Sequence, residues 1–259
     1  MSHHKLEAKE LHFTYPDGNK AVNGISFMVS HGEAVGIIGA NGAGKSTLLM
    51  LLMGVIFPQK GEVIVGDVHV TKKTLSMIRQ RLGMVFQDPD DQLFMTTVYD
   101  DVAFGPRNYK LEEKEVEERV LKALELVGIL HLKDRSPYKL SGGEKRAAAI
   151  ASVLSMQPDV LIMDEPTAAL DPKSRRRVIQ LLKSFKHTKI ITSHDLDMIL
   201  EICERILVIK EGEIVADGET REILSNAELL DSCGLEMPFS LQDCPLCGSQ
   251  KQSLKKLNS

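Results

Sequence analysis

The sequence predicts an α/β fold with a mainly parallel sheet core, an N-terminal antiparallel β subdomain and an inserted helical lobe. Three observations carry that expectation. The buried-looking run Ala34 to Ile38 ends in Gly39-Ala40-Asn41-Gly42-Ala43-Gly44-Lys45-Ser46-Thr47 and leads into an apolar helical stretch, Leu48 to Met53. A second apolar run, Val160-Leu161-Ile162-Met163, ends in the acids Asp164 and Glu165, as a parallel strand buried on both faces does. Between the two the composition turns polar and helical.

A chain of 259 residues fits one large domain, or a domain with an inserted lobe. Its 43% hydrophobic and 26% charged residues are ordinary for a globular protein. A net charge of -4 gives no general preference for nucleic acid. No apolar run is long enough to cross a bilayer and the N-terminus lacks a signal-peptide pattern, so a cytoplasmic location is expected. Service to a membrane process then requires docking on another protein.

In chain order, Leu11, Phe13 and Tyr15 alternate as a strand with one buried face, Pro16-Asp17-Gly18 makes a turn, and Ile25 to Val29 is the returning strand. Tyr15, at the strand end, is a candidate to stack on an adenine ring, though such a tyrosine is commonly a half-buried core residue. Gly61 to Gly66 and Leu82 to Phe86 read as short strands, the second ending at Gln87. Asp88-Pro89-Asp90-Asp91 reads as a polar loop. Glu112 to Val127 reads as an amphipathic helix with Val116, Val120, Leu121, Leu124 and Val127 on its apolar face. After Glu165 come a helix following Pro172, a strand from Lys189 to Thr192 running into Ser193-His194-Asp195, and a hairpin around Lys210-Glu211-Gly212. A short helix near Arg221 to Leu224 is the last recognisable element. The expected division is a domain at 5–230, with core segments 5–87 and 158–230 and a helical lobe at 88–157, then a C-terminal tail at 231–259.

The glycine-rich loop points to nucleoside triphosphate binding. In a strand–loop–helix setting its backbone N–H groups converge on phosphate oxygens, Lys45 neutralises charge, and Ser46 offers a hydroxyl to Mg²⁺. A plain flexible turn is a poor account of the complete G-x-x-x-x-G-K-S pattern. Asp164, at a strand end beside that loop, can hold Mg²⁺, and Glu165 can act as general base on the attacking water. Leu140-Ser141-Gly142-Gly143-Glu144 is a capping box before an Ala-rich helix. Its two glycines weaken the helix locally but leave an open, positive N-terminus where an anion can sit. A second phosphate-binding helix start suggests that it reads phosphate bound to another subunit.

Of four cysteines, Cys203 reads as a small core residue. Cys244-Pro245-Leu246-Cys247-Gly248 is a C-x-x-C-G knuckle that can supply two thiolates to zinc, with Cys233 a possible third. The simpler reading is an unliganded, partly ordered tail. His3 and His4 are too few to mark a site.

Taken together these motifs resemble the ATPase subunit of ABC transporters over about residues 5 to 225. The Walker A motif is Gly39 to Thr47, the Q-loop carries Gln87, the signature is Leu140 to Glu144, Walker B is Val160 to Glu165, the D-loop is Ala168 to Asp171 and the switch histidine is His194. The resemblance implies a P-loop NTPase (RecA-like) core. It implies a head-to-tail dimer, of identical or closely related subunits. Each ATP would lie between Walker A residues (Gly39, Asn41, Gly42, Ala43, Gly44, Lys45, Ser46, Thr47) of one copy and Ser141, Gly142, Gly143 and Glu144 of the other. Tyr15 would stack on adenine; Ser46, Gln87 and Asp164 would hold Mg²⁺; Glu165 would activate water and His194 contact the γ-phosphate.

A finer resemblance is to energy-coupling factor (ECF) transporters, through Gln87-Asp88-Pro89-Asp90-Asp91-Gln92-Leu93-Phe94 and Val98 to Pro106, and to cobalt and nickel importer ATPases of the Cbi/Nik type, through Tyr15-Pro16-Asp17-Gly18. It implies a subunit on the cytoplasmic face of the membrane, with a transmembrane coupling protein and a substrate-binding membrane component as partners and Co²⁺ or Ni²⁺ as cargo. A vitamin or other small nutrient is the alternative cargo. Leu93 and Phe94 would lie near the groove that receives the coupling helices, or else pack inside the helical lobe. Ala147 and Ala148 stand where relatives often carry larger residues. A soluble ABC ATPase of DNA repair or translation is the competing class, but this chain has neither a second cassette nor a basic face.

Overall fold

The computed structural model describes residues 6–242. Ten strands form two sheets among them. The smaller is antiparallel, in the order β2-β1-β4-β5, from β1 (Leu6–Thr14), β2 (Lys20–Val29), β4 (Lys60–Val65) and β5 (Val68–His69). Leu6, Ala8 and Leu11 are all buried although the period of two breaks between Ala8 and Leu11. A bulge there, with Glu10 at φ 46°, resets the phase.

The larger sheet has the order β10-β9-β3-β8-β7-β6, from β3 (Ala34–Ile38), β6 (Leu82–Val85), β7 (Val160–Asp164), β8 (Thr188–Thr192), β9 (Arg205–Lys210) and β10 (Glu213–Glu219). Its strands are parallel except β10, which returns antiparallel on β9. Every residue of β3, β7 and β8 is buried, because helices or the second sheet cover both faces. Ile37 and Ile162 point into the core shared with the small sheet and α1 (Lys45–Leu52), whereas Ile38, Leu161 and Met163 point into the core shared with the helical lobe. The strand pleat therefore makes one sheet the wall between two hydrophobic cores.

The lobe consists of α3 (Val98–Asn108), α4 (Glu113–Leu126) and α5 (Gly142–Leu154). In α4, Val116, Val120, Ala123 and Leu124 are buried, while Leu121 and Val127 are only half-buried. Pro106 inside α3 cannot donate to the carbonyl of Val102; the Ser155 hydroxyl donates to it instead at 2.8 Å and ties α3 to the end of α5. The remaining helices are α2 (Leu75–Arg81), α6 (Pro172–Ser184), α7 (Leu196–Ile202), α8 (Thr220–Leu224) and α9 (Ala227–Ser232). No described helix is long and apolar enough to cross a membrane.

One expectation needs correction and two gain detail. Residues 88–91 are not a plain loop: Pro89–Asp91 form a 3₁₀ turn, with proline at its first position and the Asp88 carboxylate accepting the Asp90 N–H at 2.9 Å. The chain is also ordered beyond Leu224. Leu230 and Cys233 are buried in the lobe-side core, and Leu235, Met237 and Leu241 pack against it. That segment is too short to show a helical period, so its burial was not visible in the sequence. Finally, Leu93 and Phe94 part company: Leu93 is interior, whereas Phe94 is 58% exposed and meets the 43% exposed ring of Phe104 edge-on at 4.9 Å.

Candidate active site

The end of β3 delivers the glycine-rich loop to the C-terminal edge of the parallel strands. Gly44 caps α1 at φ 105°, and a Cβ there would stand 2.1 Å from the carbonyl oxygen of Ala21. A Cβ on Gly39 would stand 2.3 Å from the carbonyl oxygen of Ile209. Lys45 folds back along the loop, donating from Nζ to the carbonyls of Gly39 (2.8 Å) and Ala40 (3.1 Å), and lies 3.3 Å from His194 Nε2. Burial holds its ammonium below the usual lysine range, an effect the carboxylates of Glu165 and Asp164 oppose.

A cavity of about 570 Å³ opens over this loop. Tyr15, Asn41, Gly42, Gly44, Lys45, Ser46 and Thr47 border it on one side; Gln87, Asp164, Glu165 and His194 border it on the other. Tyr15 is fixed twice, by its hydroxyl 3.1 Å from Thr47 Oγ1 and by edge contact with Phe13 at 5.0 Å. The oxygen donors of Ser46, Gln87 and Asp164 on these walls suit Mg²⁺, a hard cation that takes oxygen ligands and shares them with phosphate. Asp164 closes β7 and accepts the Thr192 hydroxyl at 2.5 Å, which leaves its other oxygen for that role.

Glu165 leaves the strand at φ 47°, a left-handed conformation in a non-glycine residue. Its Oε2 accepts from the backbone N–H of His194 (3.1 Å) and the hydroxyl of Ser193 (3.3 Å). Its Oε1 is buried without a hydrogen-bond partner among the described residues and stands 3.6 Å from His194 Nε2. A carboxylate oxygen held at a cavity wall with a free lone pair can accept a proton from a water placed there.

Two fastenings were missed in the sequence. Arg146, 2% exposed, donates from α5 to the carbonyls of Phe86 (2.7 Å) and Gln87 (2.5 Å), so the helix that begins at the signature holds the Q-loop. Burial pushes its guanidinium down, and Asp88, Asp164 and Glu165 oppose that. The available signal was an arginine at helical spacing with buried Ile150 and Val153. Arg175 grips Asp195 through both oxygens at 2.5 and 2.7 Å, and Asp195 also caps α7, which fixes the turn that carries His194.

None of residues 141–144 borders the cavity over the glycine-rich loop, although Gly142 comes near it. Ser141 and Glu144 form the expected capping box, the hydroxyl and N–H of Ser141 each donating to Glu144 Oε2 at 2.8 Å. Ser141, Gly143 and Glu144 border a different cavity, between α4, α5 and α6. Gly142 borders an open cleft that runs past Gln87 and Ser46. The two glycines differ. A Cβ on Gly143 would strike Ser174 Oγ at 2.2 Å, so glycine there lets α5 approach α6; a Cβ on Gly142 would meet nothing within 4 Å. Gly142→Ala should therefore leave the melting temperature unchanged or slightly raised, since alanine is favoured over glycine in a helix by ~1 kcal/mol, yet lower ATP turnover. Thermal unfolding and phosphate release measured on the same preparation check this.

Cys244, Cys247, His3 and His4 lie outside the described residues. Cys233 is packed in the core, and no group of three metal-ligating side chains occurs among the described residues. Cys203 is buried and its thiol is pushed up to about 12, which makes it inert.

Residues 22–168 match the family model described as ABC transporter. An ABC transporter ATP-binding protein of Geobacter sulfurreducens, itself provisionally assigned, is 59% identical over 96% of this chain and 100% of its own. An energy-coupling factor transporter ATP-binding protein of Methanothermobacter thermautotrophicus is 46% identical over 90% of this chain and 76% of its own. Among solved structures, CbiO1 of Clostridium perfringens, described as part of the ABC transporter complex CbiONQ, superposes with a TM-score of 0.78 at 41% identity, over 88% of this chain and 93% of its own.

Proposed function

The chain belongs to the ABC transporter family, as an ATPase subunit of the energy-coupling factor type, and from that footing we propose that it works as a head-to-tail dimer on the cytoplasmic face of a membrane, energising uptake of Co²⁺ or Ni²⁺. ATP hydrolysis coupled to transport is the family's activity. What is proposed is the architecture of the site, the roles of its residues and the cargo.

The observation that supports the dimer is the division of the site. One cavity gathers Lys45, Ser46, Gln87, Asp164, Glu165 and His194, but none of Ser141 to Glu144. Gly142 has no neighbour among the described residues that requires a glycine. A second copy that presents its α5 N-terminus to the phosphates accounts for both facts. In that arrangement the Walker A backbone holds the phosphates and Lys45 leaves its own loop carbonyls for them. Ser46, Gln87 and Asp164 would hold Mg²⁺, which would supply charge neutralisation when bound. Glu165 Oε1 takes the proton of the attacking water while His194, steadied by Asp195, orients the γ-phosphate. ATP favours the closed dimer by differential affinity, and its hydrolysis reopens it.

The exposed Phe94–Phe104 pair is the proposed contact for a transmembrane coupling protein. Asp101 Oδ1 accepts the N–H groups of Phe94 (3.0 Å) and Met95 (3.1 Å), so the docking ring rests on a fixed turn. Replacing Phe94 and Phe104 together by alanine should release the chain from membranes while leaving ATP binding intact; an unchanged membrane fraction on sedimentation would remove this contact. Support for the cargo comes from the Tyr15 to Gly18 stretch, which is similar to cobalt and nickel importer ATPases. The test is uptake by vesicles holding the chain with its co-purified membrane partners. ATP-dependent accumulation of labelled Co²⁺ or Ni²⁺ is expected; accumulation of a vitamin instead would replace the cargo and keep the ATPase role.

A further inference from the structure

Gln92, five residues beyond Gln87, is bonded to the same helix that begins at the signature. Its Oε1 accepts the N–H of Phe86 at 3.1 Å, and its Nε2 donates to the carbonyl of Ala149 (2.8 Å) and to Ser152 Oγ (2.9 Å). The Ser152 hydroxyl hydrogen goes to Ala149 O at 2.9 Å, so its oxygen is free to accept from Gln92. Both amide hydrogens are thereby used, and a flipped amide would set donor against donor and acceptor against acceptor. Arg146, Ala149 and Ser152 follow at three-residue steps on α5 and present one face. With Arg146 on its carbonyl and Gln92 on its N–H, Phe86 has both backbone polar groups committed to that helix. The nearby Lys145–Asp90 pair, with Asp90 exposed, adds little by comparison.

We propose that Gln92 is a positioning residue that makes the Q-loop travel with α5, and so couples the two ATP sites of the dimer. This rests on the head-to-tail reading, in which the N-terminus of α5 faces the ATP bound by the other copy while Gln87 faces the ATP of its own. A displacement of α5 on engaging the other copy's phosphates is handed through Gln92 and Arg146 to Gln87. Each site then senses whether its neighbour is filled, and the coupling is reciprocal. Without Gln92 the carbonyl of Phe86 stays anchored but its N–H does not, and Gln87 can lag behind the helix.

The test uses the full chain, with Gln92→Leu, which removes the amide at similar size, and Ser152→Ala, which removes one of its two acceptors. In the unaltered chain ATP turnover should rise with a Hill coefficient above 1. Gln92→Leu should lower kcat ~10-fold and bring the Hill coefficient toward 1, with KM changed less than about twofold. Ser152→Ala should fall between the two. A Hill coefficient of 1 in the unaltered chain overturns the proposal, as does Gln92→Leu with normal kcat and cooperativity. A parallel loss of kcat, ATP affinity and melting temperature would mean that Gln92 only packs, and also overturns it. ATP-dependent dimerisation of the Glu165→Gln chain is measured alongside. Its absence defeats the head-to-tail reading itself, whereas a normal dimer with an unremarkable Gln92→Leu defeats only this inference.

Discussion

Glu165→Gln is expected to lower ATP turnover by about 10²–10⁴-fold, the range for removing a positioned general base. The side chain keeps its size and one oxygen, so the hydrogen bonds from the His194 N–H and the Ser193 hydroxyl can persist. What is lost is the basicity of Oε1, which has no hydrogen-bond partner among the described residues. Replacing a negative oxygen beside Lys45 and His194 also removes repulsion toward the phosphates. ATP should therefore bind at least as tightly while hydrolysis stops. Single-turnover phosphate release and nucleotide binding on one preparation separate the two. Wild-type hydrolysis in the variant would take Glu165 out of the base role.

Lys45→Ala should have an effect of similar size by a different route. The ammonium is buried and is bonded to the carbonyls of Gly39 and Ala40 and to the edge of His194. Its removal leaves the carbonyls of Gly39 and Ala40 without their ammonium donor and takes a positive charge from the proposed phosphate site. Binding and turnover should both fall, turnover by ~10²–10³-fold, as for loss of one preorganised charge-stabilising donor. The loop itself should hold its shape, because Gly39 and Gly44 are fixed by close approach to Ile209 and Ala21 rather than by the lysine. A chain that still bound ATP with unaltered affinity would contradict this.

Much of the phosphate side was legible in the sequence because its determinants are local. Glycine spacing, the apolar strand before it and the helix after it all lie within twenty residues, and each has a direct physical reading. The capping box at Ser141 and Glu144 was legible for the same reason. The fastenings were not. Arg146 reaches carbonyls 60 residues away and Gln92 reaches a hydroxyl 60 residues away, and no period or turn rule joins positions so distant. Leu93 and Phe94 show the limit at its sharpest. Two adjacent apolar residues look alike in sequence, yet the turn held by Asp101 sends one inward and leaves the other exposed. The packing of the segment after Leu224 was not legible, because six-residue α9 is too short to show a period.

In the proposed dimer, the phosphate cavity of each chain is completed by residues 141–144 of another. Light scattering of the full-length Glu165→Gln chain with and without Mg²⁺ and ATP tests it most directly. The single chain weighs 28.7 kDa. The expected result is a particle of twice that mass only when ATP is present, abolished when Ser141→Arg is added and unaffected when the exposed Met77 of α2 is changed. A monomer under all conditions, or an ATP-bound dimer indifferent to Ser141→Arg, would contradict the claim.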